Sequence, residues 1–151
     1  MEQSRKYLKL SALVVLALAI LSLLNILYEL FFGALSMAFK SEVVTEQFAD
    51  NIILTTQIFV LAVSFLLLLP RIYIGLKGIK VANNPDYSRG HIIWGTILLV
   101  LTAIGLISPL LALFKGNGMV FANIANICSE VVDVFILYEY VKYAKDVRNS
   151  I

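Results

Sequence analysis

The chain has 151 residues, 60% of them hydrophobic and 15% charged, with a formal net charge of +2 and a mean hydropathy of +0.90. Soluble domains carry about 25% charged residues, so a soluble globular domain is excluded. A charge this small gives no footing for nucleic-acid binding.

Four apolar segments stand out, at about 8–30, 52–79, 92–114 and 119–141. Each is near the roughly 20 residues a helix needs to cross a hydrocarbon core. They leave no length for a separate soluble domain. The expected fold is therefore all-α and integral to the membrane: one domain, 1–151, forming an antiparallel bundle of four transmembrane helices.

Arg5, Lys6 and Lys9 precede the first segment, as in a signal peptide, and Ser36-Met37-Ala38 lies downstream. The apolar run is longer than the roughly 7–15 residues of a signal sequence, so a retained helix is expected. On its second half Ser22, Asn25 and Glu29 fall on one face. Phe32, Leu35, Phe39 and Val43 then recur at helical spacing, predicting a short amphipathic helix on the outer surface. Ser41-Glu42 suits a helix start, and a second helix running to Val81 would be kinked at Pro70. It carries Thr55, Thr56 and Gln57 in its outer half.

Arg71 follows Pro70 at once, roughly 13 Å in from Lys80 at 1.5 Å per residue. Two readings stand for it: a bridge to Asp133 or Glu139 of the fourth segment, closing one side of the bundle, or a side chain that snorkels to the lipid interface. Asn83-Asn84-Pro85-Asp86 is a turn. His91, beside Trp94, reads as an interfacial anchor, and Gly95 and Gly105 as points of close helix approach. Ser108-Pro109 should bend the third segment, and Lys115-Gly116-Asn117-Gly118 should form a tight hairpin.

In the fourth segment Asn123, Asn126, Glu130, Asp133, Leu137 and Tyr140 step by three and four residues, so they share one helix face. An ionised group at a bilayer centre costs roughly 2.5–3.5 kcal/mol on insertion scales, so these acids must face protein or water. Lone Cys128 has no intrachain partner for a disulfide, a redox pair or a zinc site, and reads as a small buried residue.

Every basic residue except Lys40 and Lys115 lies at the two termini or in the stretch from Arg71, near the end of the second segment, to Arg89, before the third. The positive-inside rule then puts both termini in the cytoplasm and the Glu42-, Glu46- and Asp50-bearing loop outside. Tyr7, Tyr73, Trp94, Tyr138, Tyr140 and Tyr143 would form the inner aromatic belt.

The run Gly75-Leu76-Lys77-Gly78-Ile79, Asn83-Asn84-Pro85, Gly90 and Trp94-Gly95 resembles small four-span membrane proteins of low-GC Gram-positive bacteria. The resemblance covers about 40 residues, from Ile72 to Leu110. It implies a bacterial inner membrane and four spans, and it assigns no activity and no residue role. The chain lacks the first-helix glutamate pattern of small multidrug-resistance transporters and the cysteines of quinone-linked disulfide enzymes.

No Ser/His/Asp set, HExxH, phosphate loop or metal cluster is present, so no enzyme chemistry and no cofactor is expected. Asn25, Asn123, Asn126, Glu29 and Gln57 fall in the outer half of the bundle, with Glu130 at mid-depth and Asp133 further in, and all seven are candidate ligand residues. One expectation is an outward-opening, acid-lined cavity that binds or conducts a small cation, proton or cationic solute. The alternative is an accessory or immunity-type subunit, or a homo-oligomer, whose polar stripe receives a partner helix. The asparagines also suit plain hydrogen bonds between neighbouring helices, each contributing about 0.6 kcal/mol.

Overall fold

The structure is a computed structural model and describes residues 2–33, 47–86, 88–114 and 120–150. Among these residues every regular element is helical. Helix α1 (Glu2–Tyr28) runs into a π-helical turn (Glu29–Gly33) and is followed by α2 (Gln47–Asn83), α3 (Gly90–Gly105), α4 (Ile107–Phe114) and α5 (Val120–Asn149). Among the described residues three stretches are long and apolar enough to cross a membrane: Glu2–Phe32, Leu61–Asn83 and Gly90–Phe114. The segment expected to be the fourth span is helical too, but Glu130, Asp133 and Glu139 interrupt its apolar run. The expected surface helix through Leu35, Phe39 and Val43, the helix start at Ser41 and the Lys115–Gly118 hairpin lie outside the described residues.

The chain divides into two compact units, Met1–Leu16 with Pro70–Ile151, and Ala17–Leu69. Their boundaries fall inside α1 and inside α2. The second boundary is at Pro70, where α2 continues through a residue with no N–H to offer the preceding turn.

In the larger unit one core draws on four helices. Leu137, Tyr140, Val141, Ala144 and Val147 of α5 meet Leu8, Ala12 and Val15 of α1, Ile74, Val81 and Ala82 of α2, and Ile92 and Leu98 of α3. The α1 and α5 sets recur at three or four residues and Ile74 and Val81 lie seven apart, the signature of one helix face turned inward. The opposite faces are apolar as well: Leu10, Leu13, Leu76, Ile93, Ile97, Val100, Val131, Val132 and Phe135 are all exposed. A belt of exposed apolar side chains around the helices suits lipid rather than water.

Tyr140 is the pivot of the core. A Cβ added to Gly78 would meet Tyr140 Cε2 at 2.6 Å, and one added to Gly95 would meet Tyr140 Cε1 at 3.1 Å. The ring fits because both facing residues lack a side chain. Its hydroxyl, cut off from water, donates to the Ile74 carbonyl at 2.9 Å, satisfying a buried donor. At the same end Tyr7 and Tyr143 stack with centroids 5.1 Å apart.

The expected turn at 83–86 is present. The Asn84 N–H donates to the Lys80 carbonyl at 2.9 Å. Asp86 Oδ1 accepts the Ser88 N–H at 3.1 Å, and its Oδ2 accepts from Lys77 Nζ at 2.6 Å.

The bend expected at Ser108-Pro109 falls earlier, at Leu106, between α3 and α4. The cause is in the sequence: Pro109 has no N–H for the carbonyl four residues back, that of Gly105, so the helix breaks at the residue that loses its bond. Leu106 N–H still donates to Thr102 O at 3.2 Å, and Leu110 N–H to Leu106 O at 3.3 Å, so the chain resumes as α4 at once.

In the smaller unit Ala19, Ile26 and Leu68 are buried. The Ser22 hydroxyl donates to Leu18 O at 2.9 Å, and the rings of Tyr28 and Phe32 lie 4.5 Å apart.

Candidate functional site

The stripe on α5 changes character along its length. Leu137 and Tyr140 are 1% and 0% exposed. One turn back, Asp133 is half-buried; another turn back, Glu130 is half-buried and Asn126 is exposed. Asn123 and Gln57 lie on helices, and Glu29 on the π-helical turn, but their side chains are outside the described set. Asn25 is an exposed residue of α1 in the smaller unit.

The two central acids have different surroundings. Arg71 Nη2 donates to Asp133 Oδ2 across α2 and α5, with side chains 21% and 17% exposed. Pro70 places Arg71 at the unit boundary, on the turn that faces Asp133. The guanidinium neutralises that acid locally, so Asp133 is occupied by its own protein. Glu139, the other acid weighed for Arg71, pairs instead with Lys142 at 3.7 Å along its own helix. It lies six residues past Asp133, about 240° around the helix axis and off the stripe.

Glu130 meets no basic side chain among the described residues. Its Oε2 is buried and has no hydrogen-bond partner among the described residues. The carboxyl lies over Gly105: a Cβ there would be 3.5 Å from Oε2 and 4.0 Å from Oε1. The carboxyl thus lies beside a residue whose carbonyl has no regular helical donor, since the residue four positions on is Pro109. Thr102, one turn back on α3, offers no donor either, because its hydroxyl already donates to Leu98 O at 2.9 Å. A buried acceptor without a donor costs about 1–3 kcal/mol, more if charged.

Two expectations are corrected. His91 is 1% exposed, not an interfacial anchor. It occupies the first turn of α3, one turn before Gly95, with its ring edge-on to Tyr140 at 6.3 Å. Neither of its nitrogens has a hydrogen-bond partner among the described residues. Cys128 is exposed, because it lies two residues past Asn126 and about 200° around α5 from the stripe.

The sequence reading missed Gly78 as half of the Tyr140 slot and Pro109 as the cause of the Gly105 break. The signals were present, Gly75 and Gly78 one turn apart and a proline four residues after a glycine. Among the described residues no group of three or more His, Cys, Asp or Glu is placed to hold a metal ion. No protein-family model, curated protein or solved structure matches the chain.

Proposed function

We propose that this protein is a four-span membrane bundle with both termini cytoplasmic, in which the outer half of the α5 stripe forms an acid-lined cavity for a small cation, proton or cationic solute. The orientation rests on charge: the basic residues other than Lys40 and Lys115 gather at the termini, in the last part of α2 from Arg71, and in the α2–α3 turn. Cysteines introduced at Ser41 and Ser88 test it. Only the first should react with an impermeant thiol reagent in intact cells, and reaction at Ser88 alone would invert the topology.

The observation that carries the ligand reading is the buried, unpartnered Oε2 of Glu130. Ionisable groups inside a membrane mark ion and substrate paths, and exposed Asn126 one turn away gives the acid a polar approach. A ligand that binds the folded state raises its melting temperature by mass action. Melting curves in detergent, across pH and a panel of inorganic and organic cations, should therefore shift for the wild type and not for Glu130→Gln. Identical curves for both proteins under every condition would favour the alternative, an accessory subunit whose stripe receives a partner helix.

A further inference from the structure

Resting on the reading of the chain as a membrane bundle, we infer that one end of the larger unit, where α1 and α3 begin and α2 and α5 finish, is a collar that binds anionic phospholipid headgroups.

Close approaches between the helices define that end. A Cβ on Gly75 would meet Leu16 and one on Gly78 would meet Ala12, so α1 and α2 run antiparallel. In the same way Gly95 lies against Tyr140 and Gly105 against Glu130, so α3 and α5 run antiparallel. The Tyr140 ring meets Gly78 as well as Gly95, and the stack of Tyr7 on Tyr143 joins α1 to α5. The first turns of α1 and α3 and the last turns of α2 and α5 therefore lie together.

Cations without a counter-charge gather there. Lys77 and Lys142 are matched by Asp86 at 2.6 Å and Glu139 at 3.7 Å. Lys6, Lys9, Lys80, Arg89, Lys145 and Arg148 have no acidic partner among the described residues, and all but the half-buried Arg148 are exposed. Glu2 and Asp146, exposed at the same end, are too few to balance them. Between one and two turns further in, Tyr73, Trp94 and Tyr138 are exposed, and past them the exposed side chains are apolar, among them Leu13, Ile97 and Phe135.

A phospholipid has the same three levels: a phosphate, a boundary where aromatic rings settle, and acyl chains. Lys and Arg stems lie along apolar surface while their charged heads reach outward to the phosphate. Basic clusters at the cytoplasmic face of a membrane draw anionic lipids in this way. The charges are spread over α1, α2, α5 and the N-cap of α3, which suits a shell of headgroups and not one soluble anion.

Trp94, the single tryptophan of the chain, reports the lipids around this end. With the full-length protein in phosphatidylcholine vesicles, acyl-brominated phosphatidylglycerol should quench its fluorescence several-fold more effectively than acyl-brominated phosphatidylcholine at equal mole fraction. Added salt should narrow that ratio, because exposed charges are screened. Lys80→Gln with Arg89→Gln should bring it towards one, while Lys80→Arg with Arg89→Lys should keep it.

Equal quenching by the two lipids in the wild type at low salt, or an unchanged ratio in the glutamine variant, would overturn the collar. So would loss of the ratio to inorganic phosphate at an ionic strength matched with chloride, which would point to a soluble anion instead. Absence of quenching by either lipid would mean that Trp94 meets no bilayer, and the membrane reading itself would fall.

Discussion

The C-terminal and middle parts of α5 carry the same stripe in the same helical register, yet they are built for different purposes. From Leu137 to Val147 the stripe is packed shut, with Tyr140 fitted between Gly78 and Gly95 and its hydroxyl satisfied by Ile74. From Asn126 to Asp133 it is polar and only partly covered, and the glycine it meets, Gly105, faces a carboxylate instead of a ring. Glycine therefore serves opposite ends in the two places. At Gly78 and Gly95 it admits bulk; at Gly105 it sits where a helix breaks and leaves polar groups unmatched. Periodicity gives the face but not the chemistry, which depends on what the neighbouring helices bring to each level.

The junction between the two parts is the Arg71–Asp133 pair, and breaking it should have the largest effect. Arg71→Ala leaves a largely covered carboxylate without its partner and should cost about 3 kcal/mol, near the lower end for buried pairs because both side chains keep some exposure. Adding Asp133→Asn should recover part of the loss in a double-mutant cycle, read from unfolding in detergent. Adding Glu139→Gln should be additive to within about 0.5 kcal/mol. Coupling to Glu139 rather than Asp133 would refute the assignment.

The second test sets the glycines against each other. Gly78→Ala forces a Cβ to within 2.6 Å of Tyr140 Cε2 and 2.9 Å of Ala12 Cβ, an overpacking that should cost about 1–3 kcal/mol. Gly105→Ala places its Cβ at ordinary contact distance from Glu130 and should be close to neutral. Tyr140→Phe, which removes the bond to Ile74, should cost about 1 kcal/mol. Equal losses at Gly78 and Gly105 would mean that the packed and polar parts do not differ as described.

Much of this contrast is legible in the sequence, and the unread remainder has physical causes. The three-four spacing placed Leu137 and Tyr140 on a shared face, and both are buried. The Asn83–Asp86 turn followed from its residue types. The choice of Asp133 over Glu139 was available too, since Glu139 falls off the stripe by its register, and the same count puts Cys128 outside. The burial of His91 was not available: it depends on how closely α3 approaches Tyr140, which Gly95 of α3 and Gly78 of α2 set together. The fate of Glu130 likewise depends on a break in α3, a helix distant in sequence, so no reading of α5 alone reveals it.

The smallest expected effect lies beyond both parts, at the turn that joins α2 to α3. Lys77 donates to Asp86, and this bond, aided by the Ser88 N–H, holds the Asp86 carboxyl below its ordinary value of 3.8. A carboxylate whose folded-state value is depressed adds stability above its unfolded value and loses it as pH falls through the folded one. Asp86→Asn should therefore lower stability at neutral pH, and the difference should vanish in strong acid, well below the ordinary carboxylate range. The Asp86 side chain is 40% exposed, so solvent screens the pair and the loss should be only a few tenths of a kcal/mol. Added salt should shrink it further. Melting curves of the two proteins across acid pH, at low and high salt, measure this directly. A difference that persists or grows in acid would show that Asp86 stabilises the turn through its uncharged hydrogen bonds, and that the Lys77 pair contributes nothing there.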